Sequence, residues 1–169
     1  APVVTYPVGI GAEGTLTPLG EFRVVEKIVA PTWRPPPSIR REDPELPAAV
    51  PPGPDNPLGT HALRLSVPNI LIHGTDRPFG VGRKASHGCL RLYPEDIPHL
   101  YDRVTVGTRV AIVREPVKVG VRDGRVFVEV HEDDDARVNY RAVAKRLLAN
   151  RGLADRVDAG KLEAALAER

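Results

Sequence analysis

Ile72-His73-Gly74, a glycine-rich connection, and then Ser86-His87-Gly88-Cys89-Leu90-Arg91 form the stretch on which the reading of this chain turns. Cys89 is the only cysteine among 169 residues, so neither an internal disulfide nor a cysteine-rich metal cluster can form. A lone Cys is either a small buried hydrophobe or a thiol kept for its chemistry. A free thiol has a pKa of about 8.5 and is only a few per cent ionised at neutral pH, so a nucleophilic role needs a base beside it. Two imidazoles are candidates: His87, two positions away, and His73, sixteen positions upstream. In extended backbone, side chains at i and i+2 share a face but stand parallel, with roots about 6 to 7 Å apart. His87 is therefore the poorer base. His73 closes an apolar run, and a return strand or turn would bring it opposite Cys89. Gly74 would let a backbone carbonyl approach and orient the imidazole, giving a nucleophile, a base and an orienter. Gly88 permits a tight path, and the N–H groups of Gly88 and Cys89 are then expected to point at a developing oxyanion.

Each residue also has a structural reading. His73 could be a satisfied half-buried histidine and His87 a hydrogen-bonded one; His61, His99 and His131 are assigned to that class. Ser86 lacks the Gly-x-Ser-x-Gly elbow of a catalytic serine. His73, His87, Cys89 and His99 form a conceivable zinc set, without the C-x-x-C or H-E-x-x-H spacing that would make it specific. Spacing alone leaves the nucleophile and the zinc ligand both open, the nucleophile slightly ahead.

Outward from this stretch the chain reads as mostly β. Val3-Val4-Thr5-Tyr6 and Phe22-Arg23-Val24-Val25 are predicted strands with glycine punctuation between them. Ten of the eighteen prolines fall in residues 31 to 57. That segment is expected to be a stiff loop within one domain, as a lid or binding loop, with Trp33 as its anchor or a substrate platform. Residues 61 to 73 are predicted strands. Pro94 is expected to open a short helix whose face carries Ile97, Leu100, Tyr101 and Val104, with Pro98 removing one hydrogen bond. A strand over Thr108 to Val113 follows. Val117, Val119 and Val121 then mirror Val126, Val128 and Val130 across Asp123-Gly124, a hairpin signal. Tyr140, Val143, Ala144, Leu147 and Leu148 make a helical stripe stopped near Asn150 and Gly152, and Leu162, Ala165 and Leu166 make a shorter one. The acidic run from Glu132 to Asp135 reads as a complement to the helix N-terminus and a solvated surface.

Composition narrows the function classes. The formal net charge is +2, with 27% charged and 41% hydrophobic residues, a globular balance. Scattered basic residues and few aromatics disfavour a nucleic-acid binder. No apolar run approaches the roughly 20 residues of a membrane span. The chain has no Met and begins at Ala1, which reads as a processed chain or fragment with no signal peptide remaining.

These residues resemble the L,D-transpeptidase family, the YkuD-type catalytic domain, and within it the ErfK/YbiS-like branch of Gram-negative envelope enzymes. The family pattern is a His, a gap of about fourteen to seventeen residues, then Ser/Thr-His-Gly-Cys, a hydrophobic residue and Asn or Arg. It is met here by His73 and Ser86-His87-Gly88-Cys89-Leu90-Arg91. Tyr6-Pro7-Val8-Gly9-Ile10-Gly11, Gly20-Glu21-Phe22, Pro31-Thr32-Trp33, Ile72-His73-Gly74-Thr75 and the run from Pro51 to Gly59 resemble the same branch, so that the likeness covers roughly residues 3 to 130.

The resemblance implies a mostly β, sandwich-like catalytic domain over residues 1–115, lacking its first strands and any LysM wall-binding module. It implies a short helix after the Cys motif, while residues 116–169 form a hairpin plus a helical extension. It implies Cys89 as nucleophile, His73 as base oriented by the Gly74 carbonyl, and an oxyanion frame from His87, Gly88 and Cys89 supported by Ser86. Arg91, where many relatives carry Asn, and Trp33 are its substrate-binding candidates. The implied reaction needs no cofactor and no metal. Cys89 forms a thioester with a peptidoglycan stem peptide and releases D-Ala. An amine of a neighbouring stem or of an envelope lipoprotein then resolves the thioester, and water as acceptor would make the enzyme a carboxypeptidase. Carbapenem-type β-lactams are implied to acylate the same sulfur. The implied location is the periplasm or cell envelope. A zinc-dependent hydrolase and a non-catalytic wall-binding module are the rival readings.

Overall fold

The computed structural model describes residues 3–131, 133 and 138–167. Its chain divides into two compact units, Ala1–Val113 and Arg114–Arg169. The first is built on a five-stranded sheet. Its strands are β2 (Gly20–Val29), β3 (His61–Leu65), β4 (Leu71–His73), β6 (Leu90–Arg91) and β7 (Arg109–Ile112), in the order β6-β4-β3-β2-β7. All neighbours are antiparallel except β4 and β6, which run parallel with Ile72 opposite Leu90 and His73 opposite Arg91. A small second sheet pairs β1 (Ile10–Gly11) in parallel with β5 (Lys84–Ser86).

Strand β3 is covered on both faces over Ala62 and Leu63; Leu65 is also buried, and Arg64 faces solvent, where it meets Glu26 of β2 at 2.7 Å. Leu63, Leu65, Val24, Ile70, Ile72, Leu92 and Ile97 form the core of this unit. Helix α2, Asp96–Arg103, supplies Ile97 wholly buried, with Leu100, Tyr101 and the following Val104 packed against the same cluster. Pro98 stands in its first turn, where Ile97 N–H reaches the Tyr93 carbonyl at 3.2 Å; having no N–H, Pro98 cannot make the next bond of that series. At the other end Lys27 of β2 donates to the carbonyls of Tyr101 and Val104, both at 2.7 Å, placing a cation on the negative end of the helix.

One predicted strand is absent. Val3 to Tyr6 make no ladder; Val3 and Val4 are exposed, while Tyr6 packs on the core. Strand propensity without a neighbouring strand to pair with does not make a strand. Pairing starts at Gly9, bonded both ways to Arg91 at 2.8 and 2.9 Å.

The proline-rich segment is ordered and belongs to the first unit. It holds a short helix α1, Pro37–Glu42, and Trp33 bridges Val50 through both backbone bonds, at 2.9 and 2.8 Å. Prolines supply no N–H, so a side chain takes over the pairing. Asn56, wholly buried, donates from Nδ2 to the carbonyls of Pro31, Val50 and Pro51 at 2.8 to 3.1 Å and accepts the Leu58 N–H at 2.9 Å.

The second unit opens with the hairpin β8 (Val117–Arg122) and β9 (Arg125–Val130), paired from Val117 with Val130 to Arg122 with Arg125. Asp123 and Gly124 both have positive φ, 51° and 73°, as a type I′ turn requires. Helices α3 (Tyr140–Asn150) and α4 (Ala159–Ala167) follow, and Ala144, Leu148 and Leu166 bury against Val117 and Val119 of the hairpin. The N-cap of α3 is Asn139, whose side chain accepts the Ala142 N–H, and the first turn holds no acid. Of the acidic run expected to complement this terminus, Asp133 faces Arg114 at 3.4 Å, and Glu132, Asp134 and Asp135 lie outside the described residues. Among the described residues no helix is long and apolar enough to cross a membrane. The architecture as a whole is mostly β, with the short helix after the Cys motif and a helical end to the chain.

Candidate active site

Parallel pairing of β4 and β6 brings the two halves of the sequence pattern together. His73 is the last residue of β4, and Cys89 immediately precedes β6. The register puts His73 opposite Arg91, and Cys89 lies alongside Leu71, two residues short of the histidine. Direct opposition of His73 and Cys89, the sequence expectation, is thus replaced by a stagger across adjacent strands.

His73 is 3% exposed, and its Nδ1 lies 2.5 Å from the Gly74 carbonyl oxygen. A carbonyl can only accept, so Nδ1 carries the proton and Nε2 of the neutral ring keeps its lone pair. Burial lowers the His73 pKa from 6.5 to about 4; the Gly74 bond opposes that shift and the Arg91 charge adds to it. The close approach behind Gly74 depends on Gly59. Its φ is +67°, and a Cβ there would stand 2.7 Å from the Thr75 nitrogen and 2.9 Å from Gly74 backbone atoms.

Cys89 is half-buried. Its sulfur accepts from the Leu71 N–H at 3.4 Å, and its S–H reaches the Asn69 carbonyl at 3.5 Å. Burial pushes the thiol pKa up, while the Leu71 bond and the Arg91 charge pull it down. The resting pair is therefore a neutral imidazole and a neutral thiol. Asn69 and Leu71 went unnoticed in the sequence because their contribution is backbone. The one available signal was Pro68-Asn69, a turn whose Asn adopts φ of 63°.

The loop carrying the sulfur is braced from within. Ser86, 2% exposed, donates from Oγ to the Cys89 carbonyl at 2.7 Å and accepts the Gly88 N–H at 3.1 Å. Its own carbonyl takes the Ala12 N–H at 2.8 Å and the Thr15 hydroxyl at 3.1 Å. Gly88 has φ of +101°, and a Cβ would meet Ile70 Cδ1 at 3.1 Å. Because the Gly88 N–H is spent on Ser86, it does not point at an oxyanion as expected. Of the two donors expected at an oxyanion, that leaves the Cys89 N–H.

His87 turns away from this arrangement. Its Nε2 lies 3.7 Å from a Glu42 carboxylate oxygen, at the end of α1 in the proline-rich segment, so this segment reaches the Cys motif. Trp33 lies in the same segment, half-buried, with its backbone paired to Val50. His99 is exposed on α2. Among the described residues no group of three His, Cys, Asp or Glu side chains is placed to hold a metal ion, so the conceivable zinc set is not brought together.

Residues 1–112 match the L,D-transpeptidase catalytic domain, YkuD. The chain belongs to this family. It is 47% identical over 136 residues to the probable L,D-transpeptidase ErfK/SrfK of Escherichia coli strain K12, covering 77% of this chain and 44% of that protein. It is 44% identical over 151 residues to the probable L,D-transpeptidase YcfS of the same strain, covering 80% of this chain and 47% of that one. The chain thus spans less than half the length of these curated relatives. An L,D-transpeptidase from Mycobacterium smegmatis shares the fold, with a TM-score of 0.52 at 24% identity over 66% of this chain and 49% of that one.

Proposed function

We propose that this L,D-transpeptidase family member is a cysteine acyltransferase acting on peptidoglycan stem peptides in the periplasm or cell envelope. The observation that carries the reading is the pairing of β4 with β6. It sets a tautomer-fixed, buried imidazole and the chain's only sulfur on adjacent strands, the sulfur half-exposed between the Leu71 N–H, which donates to it, and the Asn69 carbonyl, which accepts from it.

The chemistry follows from the resting charges. Because both groups are neutral in the free protein, proton removal accompanies attack. Cys89 Sγ forms a bond to the carbonyl carbon between the third residue of the stem and its terminal D-Ala, and His73 Nε2 takes the thiol proton. The Cys89 N–H stabilises the oxygen as it becomes negative. The C–N bond then breaks, the imidazolium returns its proton to the departing D-Ala amine, and a thioester remains. An acceptor amine attacks the thioester, loses a proton to His73 and restores the thiol. That amine belongs to a neighbouring stem, giving a 3→3 cross-link, or to an envelope lipoprotein; water in its place makes the same site a carboxypeptidase. No step requires a metal or an organic cofactor. The Gly74 carbonyl keeps Nδ1 protonated throughout, and Ser86 and Gly88 hold the Cys89 backbone. His87 and Glu42 tie the proline-rich cover to the motif.

The test is intact-protein mass spectrometry of the chain incubated with a stem tetrapeptide or a carbapenem. An adduct with loss of D-Ala from the peptide, absent in Cys89→Ala, supports the reading. A folded protein that alkylates at Cys89 but never acylates rejects it.

A further inference from the structure

Arg91 is the least satisfied charged residue around the sulfur. Its guanidinium is partly buried, and Nε is sealed from solvent with no hydrogen-bond partner among the described residues. An orphaned buried donor on a cation costs more than one on a neutral group, so proteins seldom keep one without a compensating anion. The carboxylate whose charge is felt there, Asp76, is engaged with Arg77 at 3.5 Å. Arg91, Arg77 and Asp76 leave this wall of the site one negative charge short. The guanidinium extends toward Gly80, where a Cβ would come within 3.8 Å of its Nη1.

Position matches this deficit to a substrate group. Cys89 and Arg91 are two residues apart on one extended stretch, so their side chains rise from the same face with roots about 6 to 7 Å apart. The terminal D-residue of the donor carries its free carboxylate about one residue's length, roughly 3.8 Å, beyond the bond that Cys89 attacks. Resting on the acyl-transfer reading above, we infer that Arg91 binds the α-carboxylate of the leaving D-amino acid, making the enzyme selective for donors with a free C-terminus. The carboxylate meets the outer N–H groups of the guanidinium and supplies the missing charge. The interaction ends when the C–N bond breaks and the D-amino acid departs with its carboxylate.

The experiment separates binding from chemistry by using the full chain with Cys89→Ala. Calorimetry compares a stem tetrapeptide ending in D-Ala with the same peptide as its C-terminal carboxamide. The free acid is expected to bind about 10- to 100-fold more tightly, the range of a charged hydrogen-bonded pair. In the double variant with Arg91→Gln that ratio collapses to near one, and Arg91→Lys, which keeps the charge but loses the fork, recovers part of it. Circular dichroism checks that each variant is folded. Equal binding of acid and amide, or a ratio that survives Arg91→Gln, overturns the assignment. If acid and amide are discriminated yet the wild-type chain forms no thioester, the carboxylate site stands and acyl transfer falls. If thioester forms at equal rates from both donors, the reverse holds.

Discussion

Ser86 holds Cys89 by its main chain: the buried hydroxyl donates to the Cys89 carbonyl at 2.7 Å and receives the Gly88 N–H at 3.1 Å. The serine thus closes the turn that presents the sulfur, and its role is positional. Ser86→Ala leaves a buried acceptor and a buried donor unpaired, for an expected loss of about 1 to 3 kcal/mol of stability. Acylation should slow with the alkylation pH profile of Cys89 unchanged, and Ser86→Thr should recover part of both losses. Urea denaturation and iodoacetamide kinetics across pH check this.

Gly88 should tolerate no side chain. Gly88→Ala forces a Cβ onto a left-handed backbone at φ of +101° and against Ile70 Cδ1. The backbone conformation alone costs about 1 to 2 kcal/mol. Thermal unfolding should register that loss, and thioester formation should fall by more than the loss of folded protein explains, because the turn re-aims the sulfur.

Stability should carry the mark of the buried histidine. Above pH 6.5 His73 is neutral folded or unfolded and contributes no pH dependence. As pH falls from 6.5 toward about 4, the unfolded chain takes up a proton that the folded chain refuses. Stability is lost over that window, by about 3 kcal/mol in all. The thiol acts at the other end. Burial raises its pKa above the ordinary thiol value, so stability falls as pH rises past that ordinary value and the unfolded thiol ionises first. Urea midpoints measured against pH should show both limbs, the acid one reduced in His73→Gln and the alkaline one in Cys89→Ala.

The proline-rich segment should depend on one amide. Asn56→Ala removes four hydrogen bonds from a wholly buried position and takes their side-chain partner from the Pro31 and Pro51 carbonyls and the Leu58 N–H. A loss of about 2 to 4 kcal/mol is expected. Limited proteolysis should then cut between residues 31 and 57, where the wild-type chain resists. Glu42→Gln, at an exposed pair with His87, should change stability by less than about 1 kcal/mol.

The sequence was legible wherever a local pattern dictated a local structure. Alternating valines about Asp123-Gly124 gave the hairpin because only left-handed turn residues join strands at that spacing. The apolar stripe from Ile97 gave α2. His73 and Cys89 were readable because their chemistry lies in their side chains and spacing, and Gly74 because a residue without a side chain lets its backbone come close to the imidazole. What escaped was set by partners far along the chain. Val3 to Tyr6 have strand composition but no neighbour to pair with. The stagger of His73 against Cys89 depends on parallel pairing, and no local residue pattern encodes that register. The Leu71 amide and Asn69 carbonyl act through backbone atoms, invisible to residue type. Residue type and the family likeness mark Ser86 as a support of the Cys motif, but not that its hydroxyl takes up the Gly88 N–H expected to face the oxyanion.

The central claim is that the Cys89 sulfur is acylated with His73 as its base. Intact-mass spectrometry after mixing the chain with a stem tetrapeptide tests it most directly, with Cys89→Ala and His73→Gln alongside. The account predicts a mass gain equal to the donor minus D-Ala in the wild type, none in Cys89→Ala, and formation slowed at least about 100-fold in His73→Gln. An adduct that persists in Cys89→Ala, or forms at the wild-type rate in His73→Gln, would contradict it.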